Sequence, residues 1–185
     1  MELYFVTKNK YKFEEVKRIA EEFGITLHQL PEDKLEDKEK TIEEVAYQNA
    51  ERFAKETEYP IAVDDTGIFF KAYNNFPGAN AKLVYNMIGY EGILKLMEGK
   101  PRDAEFATAV AYCEPKKKPL VFEGKMKVIL TGSVHCKNRD VNIYERIFTT
   151  KEGRRICDMS VEEKNAISHR GEAFRKLFRY LKGNI

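Results

Sequence analysis

Two long apolar runs, Ala104 to Cys113 and Leu120 to Leu130, read as strands joined by a short Pro/Lys-rich stretch. Strands of that length with so brief a link pair antiparallel. The first half has a different rhythm. Leu3 to Val6 reads as a buried strand. Phe13, Val16, Ile19, Ala20 and Phe23 then recur at helical spacing, and Gly24 serves as the C-cap. Ile25 to Leu30 is a second strand that Pro31 stops. Ile42, Val45, Ala46, Asn49, Ala50 and Phe53 mark one face of a second helix. The order predicts an α/β fold, with strand–helix alternation first and a long antiparallel pair later.

Between these elements the chain is more polar. Residues 32–44 are charge-rich and read as an exposed loop leading into the second helix. Ile61-Ala-Val63 reads as a short buried strand ending in Asp64-Asp65-Thr66-Gly67, after which Ile68 to Ala72 resumes as strand. Phe76-Pro-Gly78 predicts a turn, followed by helical segments around 80–88 and 90–98. Residues 131–146 read as irregular and Ile147-Phe148 as a short strand. Ser160-Val-Glu-Glu163 has the form of a capping box, which starts a short helix at Val161. Ser168 caps a last helix carrying Phe174, Leu177, Phe178 and Leu181 on one face.

With 185 residues, the chain is expected to form a single domain, residues 1–185, able to bury a full core. A net charge of +2 argues against nucleic acid as a partner. No apolar stretch reaches membrane-spanning length, and the N-terminal run reads as strand rather than signal peptide. Cys113, Cys136 and Cys157 are odd in number and widely spaced. They fit neither a disulfide framework nor a zinc site, and they suit a reducing cytoplasm.

Three places carry candidate chemistry. Lys164-Asn-Ala-Ile-Ser-His-Arg170 puts His169 and Arg170 in the first turn of the last helix. The dipole disfavours cations there, so an anionic or acceptor-rich ligand such as a nucleotide is the expected counterpart; the alternative is a solvated basic helix start. Thr7-Lys-Asn9-Lys-Tyr-Lys12 joins the first strand to the first helix. That is where open α/β sheets bind ligands, and it reads as a phosphate cradle without the glycines of a P-loop. Asp64 and Asp65 directly follow an apolar strand. Two such carboxylates suit a hard cation and the activation of water. The alternative is a turn with Gly67 left-handed. Glu32 is a candidate second metal carboxylate and Lys82 a candidate phosphate contact, although each also reads as a surface charge.

Taken in order, these pieces resemble the inosine triphosphate pyrophosphatase, or Ham1, family. The markers are Thr7-x-Asn9-x-x-Lys12, Leu30-Pro31-Glu32, Val63-Asp-Asp-Thr-Gly67, Phe76-Pro-Gly78, Gly92 to Gly99, Phe122-x-Gly124 and Glu163 to Arg170. The resemblance covers nearly the whole chain. It implies an elongated, bent, mixed sheet flanked by helices, with two lobes and the active cleft between them. It also implies a cytoplasmic, Mg²⁺-dependent homodimer that hydrolyses ITP, dITP and XTP to the monophosphate and pyrophosphate. By position, Thr7, Asn9 and Lys12 would hold the triphosphate, and Glu32 and Asp65 the Mg²⁺. Asp65, with Asp64 and Lys12, would form the catalytic set. Thr66 and Lys82 would contact substrate, and Glu145, Lys164, His169 and Arg170 would line the base pocket. A nucleotide-binding sensor or partner subunit with weak catalysis is the alternative.

One marker departs from the family. A Gly-Phe-Gly-Tyr-Asp-Pro-Ile-Phe type segment is replaced by Val141-Asn-Ile-Tyr-Glu-Arg-Ile-Phe148. The aromatic expected to stack on the base becomes Asn142, and an Asp becomes Glu145. Stacking of this kind contributes about 1–3 kcal/mol per base in single-strand binders. The resemblance therefore predicts intact phosphate and metal elements and an altered base pocket, with Tyr144 the candidate substitute aromatic.

Overall fold

A computed structural model of the chain describes residues 1–37 and 39–183, so Lys38 of the charge-rich segment lies outside it, as do residues 184 and 185. Among the described residues the strands are β1 (Glu2–Val6), β2 (Thr26–Leu30), β3 (Ile61–Phe70), β4 (Pro77–Gly78), β5 (Asp103–Cys113), β6 (Leu120–Leu130) and β7 (Phe148–Thr149). The helices are α1 (Lys10–Glu22), α2 (Ile42–Glu56), α3 (Ala81–Leu96), α4 (Val161–Ile167) and α5 (His169–Leu181). The strands form one mixed sheet in the order β2-β1-β3-β5-β6-β7, with β4 on the edge of β3. β2, β1 and β3 run parallel, and the remaining pairs are antiparallel.

The helices begin where local chemistry dictates. Thr41 and Ser160 close capping boxes with Glu44 and Glu163, and Ser168 accepts from the Gly171 amide. α3 is broken at Gly89, whose φ of 61° only glycine adopts cheaply; this matches the two expected helical segments.

Neither the strand break expected at Asp64–Gly67 nor the alternative turn is there. β3 runs unbroken and pairs with β5 from Ile61↔Cys113 to Phe70↔Ala104. Gly67 is not left-handed. The acidic pair looked like punctuation because charge inside a strand is costly, but Asp64 has cationic partners that offset that cost.

The continuous strand explains the layout of the core. Side chains alternate between sheet faces. Ile61 and Val63 pack with α2 in one cluster, together with Ala109 and Ala111 of β5. On the other face Ala62, Val110 and Tyr112 pack under α1 and α5. Further along that second face, Ile68, Phe70, Phe106 and Met126 belong to a separate cluster beneath α3. The two clusters on this face are two lobes built on shared strands. Between them lies a polar gap containing Asp64, Thr66, Thr108 and Gly124, where the register sets Thr66 opposite Thr108 and Thr108 opposite Gly124.

A second expectation fails at the cysteines. Cys136 and Cys157 form a disulfide with a Cα–Cα distance of 6.1 Å, and only Cys113 is free, buried. The irregular 131–146 segment turns back to meet the turn Ile156–Asp158. A separation of 21 residues carried no sign of that return.

The charge-rich loop is partly tied down. Buried Asn49 of α2 accepts from the Leu35 amide at 2.8 Å and donates to the Leu35 carbonyl at 2.9 Å. Arg52 donates to the Asp33 carbonyl at 2.6 Å.

Candidate active site

The polar gap is filled from three directions. α1 enters after Asn9, whose side-chain oxygen accepts from the Tyr11 and Lys12 amides. Thr7 Oγ1 accepts from the Asn9 amide at 3.1 Å. The expected cradle therefore folds partly on itself: the side-chain oxygens of Thr7 and Asn9 serve the turn, and Lys12 points onward. α5 enters over Gly124. A Cβ there would meet the His169 carbonyl at 2.0 Å and the Ala173 nitrogen at 2.6 Å, so a glycine is required for the helix to lie this close. The tied loop brings in Lys34.

Asp64 is fully buried and forms the hub. Lys12 Nζ lies 2.9 Å from its Oδ2 and Arg170 Nε 3.4 Å from the same oxygen, while Lys34 Nζ is 3.7 Å from Oδ1. Burial alone would raise the Asp64 pKa; Lys12, Lys34 and Arg170 instead pull it far below the usual carboxylate range. The cost falls on Lys12. Burial, aided by Lys34 and Arg170, outweighs Asp64 and lowers its pKa to about 8. An anion arriving here would offset that excess of positive charge.

Arg170 also donates to Thr66 Oγ1 at 3.3 Å, and Thr66 bonds Thr108 at 2.9 Å. Its guanidinium pairs with Glu15, which also holds Lys164 at 2.6 Å. Lys164 reaches Glu145 at 2.7 Å. Burial works against the Lys164 charge, but Glu15 and Glu145 more than compensate and its pKa is raised. The same burial raises Glu145 despite Lys164.

Glu15 was not among the expected site residues. It is 3% exposed and sits on the apolar stripe of α1, three residues after Lys12. An acid at that spacing among Val16, Ile19 and Ala20 was the available signal. Lys34 was missed as well, hidden in a run of charges.

His169 stacks on Phe106 with ring centroids 5.1 Å apart and an interplanar angle of 16°. Burial, followed by Arg170, pushes its pKa well below 6.5, so the ring is neutral. Its Nδ1 is buried with no hydrogen-bond partner among the described residues. An orphaned polar atom of this kind suits a ligand's polar edge.

Asp65 belongs to the opposite sheet face, in register with Ala109. It forms none of the ion pairs of Asp64, and burial raises its pKa. Glu32, just past the end of β2, is exposed, as is Lys82 in the first turn of α3; neither joins the buried network. Tyr144 is 5% exposed and its hydroxyl donates to the Ala81 carbonyl at 2.5 Å. It is a core residue and does not take the place of the missing stacking aromatic. Asn142 instead caps the turn Ile143–Ile147 by accepting from the Tyr144 amide.

Known proteins resemble this chain over its whole length. The Ham1 family model matches residues 3–180. A dITP/XTP pyrophosphatase of Methanopyrus kandleri is 35% identical over all of this chain and 98% of that protein. One from Thermococcus kodakarensis is 37% identical, with both chains covered in full. The structure of a HAM1 protein from Coxiella burnetii superposes with a TM-score of 0.82 at 25% identity, over 99% of each chain. By its sequence over residues 3–180 and by its mixed sheet, the chain belongs to the Ham1 family.

Proposed function

We propose that this protein hydrolyses 6-oxo purine nucleoside triphosphates, ITP, dITP and XTP, to the monophosphate and pyrophosphate. The convergence of Lys12, Lys34 and Arg170 on one buried carboxylate carries this reading, next in the strand to Asp65, which forms no ion pair among the described residues yet feels the charges of Lys12 and Lys34. It provides positive charge for phosphates and leaves Asp65 available for water or a metal.

Lys12, with the donor hydrogens of Thr7 and Asn9, binds the triphosphate; Thr66 and Lys82 add contacts. Asp64 holds Lys12 and Arg170 in place and stays ionised. It positions the cations and is not itself the base. Asp65, with its raised pKa, takes the proton of the water that opens the bond between the α- and β-phosphates. Pyrophosphate then leaves.

Asp65 and Glu32 suit Mg²⁺: both are oxygen donors that form no ion pair among the described residues, and Mg²⁺ favours one or two carboxylates plus substrate oxygens. When bound, the ion neutralises charge building on the phosphates. His169 Nδ1, Lys164 and Arg170 face the base, with Glu145 orienting Lys164. A 6-oxo acceptor matches these donors, whereas adenine leaves them unpaired.

We place the enzyme in the cytoplasm as a homodimer; light scattering should give twice the 21.5 kDa chain mass. The test of function is a nucleotide panel with Mg²⁺, following pyrophosphate and orthophosphate separately. Pyrophosphate from ITP and XTP is expected, with Asp65→Asn abolishing it. Orthophosphate as the only product would sink the assignment. Tight binding without turnover would favour a sensor or partner subunit.

A further inference from the structure

Residues 136–142 reach across the cleft. At their tip, Asp140 pairs with Lys10 Nζ at 2.9 Å and accepts from the Tyr11 hydroxyl. Both partners stand in the first turn of α1, beside the cap that forms the phosphate cradle. Behind the tip, Arg146 donates to the carbonyls of Cys136 at 2.8 Å, Lys137 at 2.9 Å and Arg139 at 2.7 Å. The Cys136–Cys157 disulfide fixes the root to the turn Ile156–Asp158, whose Ile156 belongs to the core of the second lobe. Just after the segment, Glu145 bridges the same gap to Lys164. The segment thus has one covalent anchor in one lobe and an acidic tip on the other.

We propose that residues 136–142 form an autoinhibitory strap over the nucleotide cleft, locked by the Cys136–Cys157 disulfide and released by a dithiol reductant. The proposal rests on the nucleotide reading above. Asp140 presents a carboxylate to Lys10, a cation that an incoming triphosphate would also attract. The Lys10–Asp140 pair is 71% and 72% exposed, and pairs in that setting contribute little by themselves. The disulfide keeps the tip close enough for the weak pair to persist.

The chemistry is an ordinary exchange. A thiolate of the dithiol attacks the Cys136 sulfur, the half-exposed one, since Cys157 is 1% exposed. The disulfide bond breaks and Cys157 leaves as a thiolate, which takes a proton. The second thiol of the reductant then displaces Cys136 and forms the reductant's own disulfide. Two electrons and two protons pass from reductant to protein. Freed at its root, the strap keeps the Arg146 contacts, an Arg139–Asp158 pair at 3.6 Å that is half-exposed, and the exposed contacts of Asp140 with Lys10 and Tyr11, none of them covalent.

Two measurements on the full chain test this, each with and without dithiothreitol and with thiols counted by alkylation mass. The first needs no nucleotide. Trypsin should cut after Lys137 and Arg139 faster in the reduced protein, and equal rates would overturn the strap. The second is the KM for ITP, which should fall on the order of fivefold on reduction, at the low end of typical coupling factors. Asp140→Asn should lower KM without reductant. Cys136→Ser should match reduced wild type under both conditions. A KM that is unchanged or raised on reduction would overturn autoinhibition. Faster cleavage with no turnover of ITP would leave the redox release standing and reject the nucleotide reading instead.

Discussion

Asp64 and Asp65 are neighbours in sequence with opposite surroundings, because a strand sends consecutive side chains to opposite faces. Their substitutions should part accordingly. Asp64→Asn removes the carboxylate shared by Lys12, Lys34 and Arg170 and leaves buried cations uncompensated. Breaking a buried pair from one side costs about 3–5 kcal/mol, so the urea midpoint should fall steeply. Asp65→Asn loses no ion pair among the described residues, so its midpoint should stay near wild type while pyrophosphate release disappears. The opposite pattern would exchange the two roles. Lys12 sets the pH behaviour. Its pKa is depressed to about 8, so the charge that binds phosphate is present below that value and lost above it. KM for ITP should be level through neutrality, then rise about tenfold per pH unit above the Lys12 pKa. Lys12→Arg, charged throughout, should remove the rise. Unfolding would not explain such a rise. Between the folded and unfolded pKa values the unfolded chain binds the extra proton, so this group makes the fold more stable as pH increases. A KM that stays flat well above the Lys12 pKa would mean that Lys12 does not bind the phosphates.

Helices were easier to read in this sequence than strands. The stripes of α1, α2 and α5 and the Ser160 capping box lie where their spacing put them. Those signals are local, and each helix needs only its own residues to declare its face. β3 was harder, since Asp-Asp-Thr-Gly carries turn chemistry and only pairing with β5 keeps it extended. Alternation held the answer: Ala62, Asp64, Thr66 and Ile68 share a face, so the polar pair interrupts an apolar row. Lys12, Asp64, Lys164, His169 and Arg170 could be named from their motifs. Their connection through Glu15 could not, because it depends on α1, α4 and α5 meeting. The Cys136–Cys157 bond was illegible for the same reason. Gly124 was visible only as part of a marker, and its reason is steric. Backbone atoms of α5 lie 2.0 and 2.6 Å from the place a methyl group would occupy, and backbone cannot step aside as a side chain can. Gly124→Ala should therefore destabilise the protein by about 1–3 kcal/mol or more. It should also raise KM, because His169 and Arg170 begin the displaced helix. Thermal melts and ITP kinetics on that variant check both effects, and a variant equal to wild type in both would reject the close approach.

At the scale of the whole molecule, the two lobes have separate apolar clusters but no separate backbone. β3, β5 and β6 each contribute to clusters on both sides of the polar gap: Ala62 and Ile68, Val110 and Phe106, and Phe122 and Val128 are strand-mates in different clusters. Phe106 also stacks on His169 at the start of α5, across the gap. Losing one lobe would strip the ladder partners of the other along the same strands. The site depends on this arrangement, since Asp64 and Thr66 keep their spacing only while the strands run through. The protein should therefore unfold in one step. Far-ultraviolet circular dichroism and tyrosine emission should give superimposable urea curves, and the calorimetric enthalpy should equal the van't Hoff value. Saturating ITP analogue should move that single transition upward without splitting it. Two resolved transitions, or a ligand that shifts only one part of a biphasic curve, would mean that the lobes fold independently despite the shared strands.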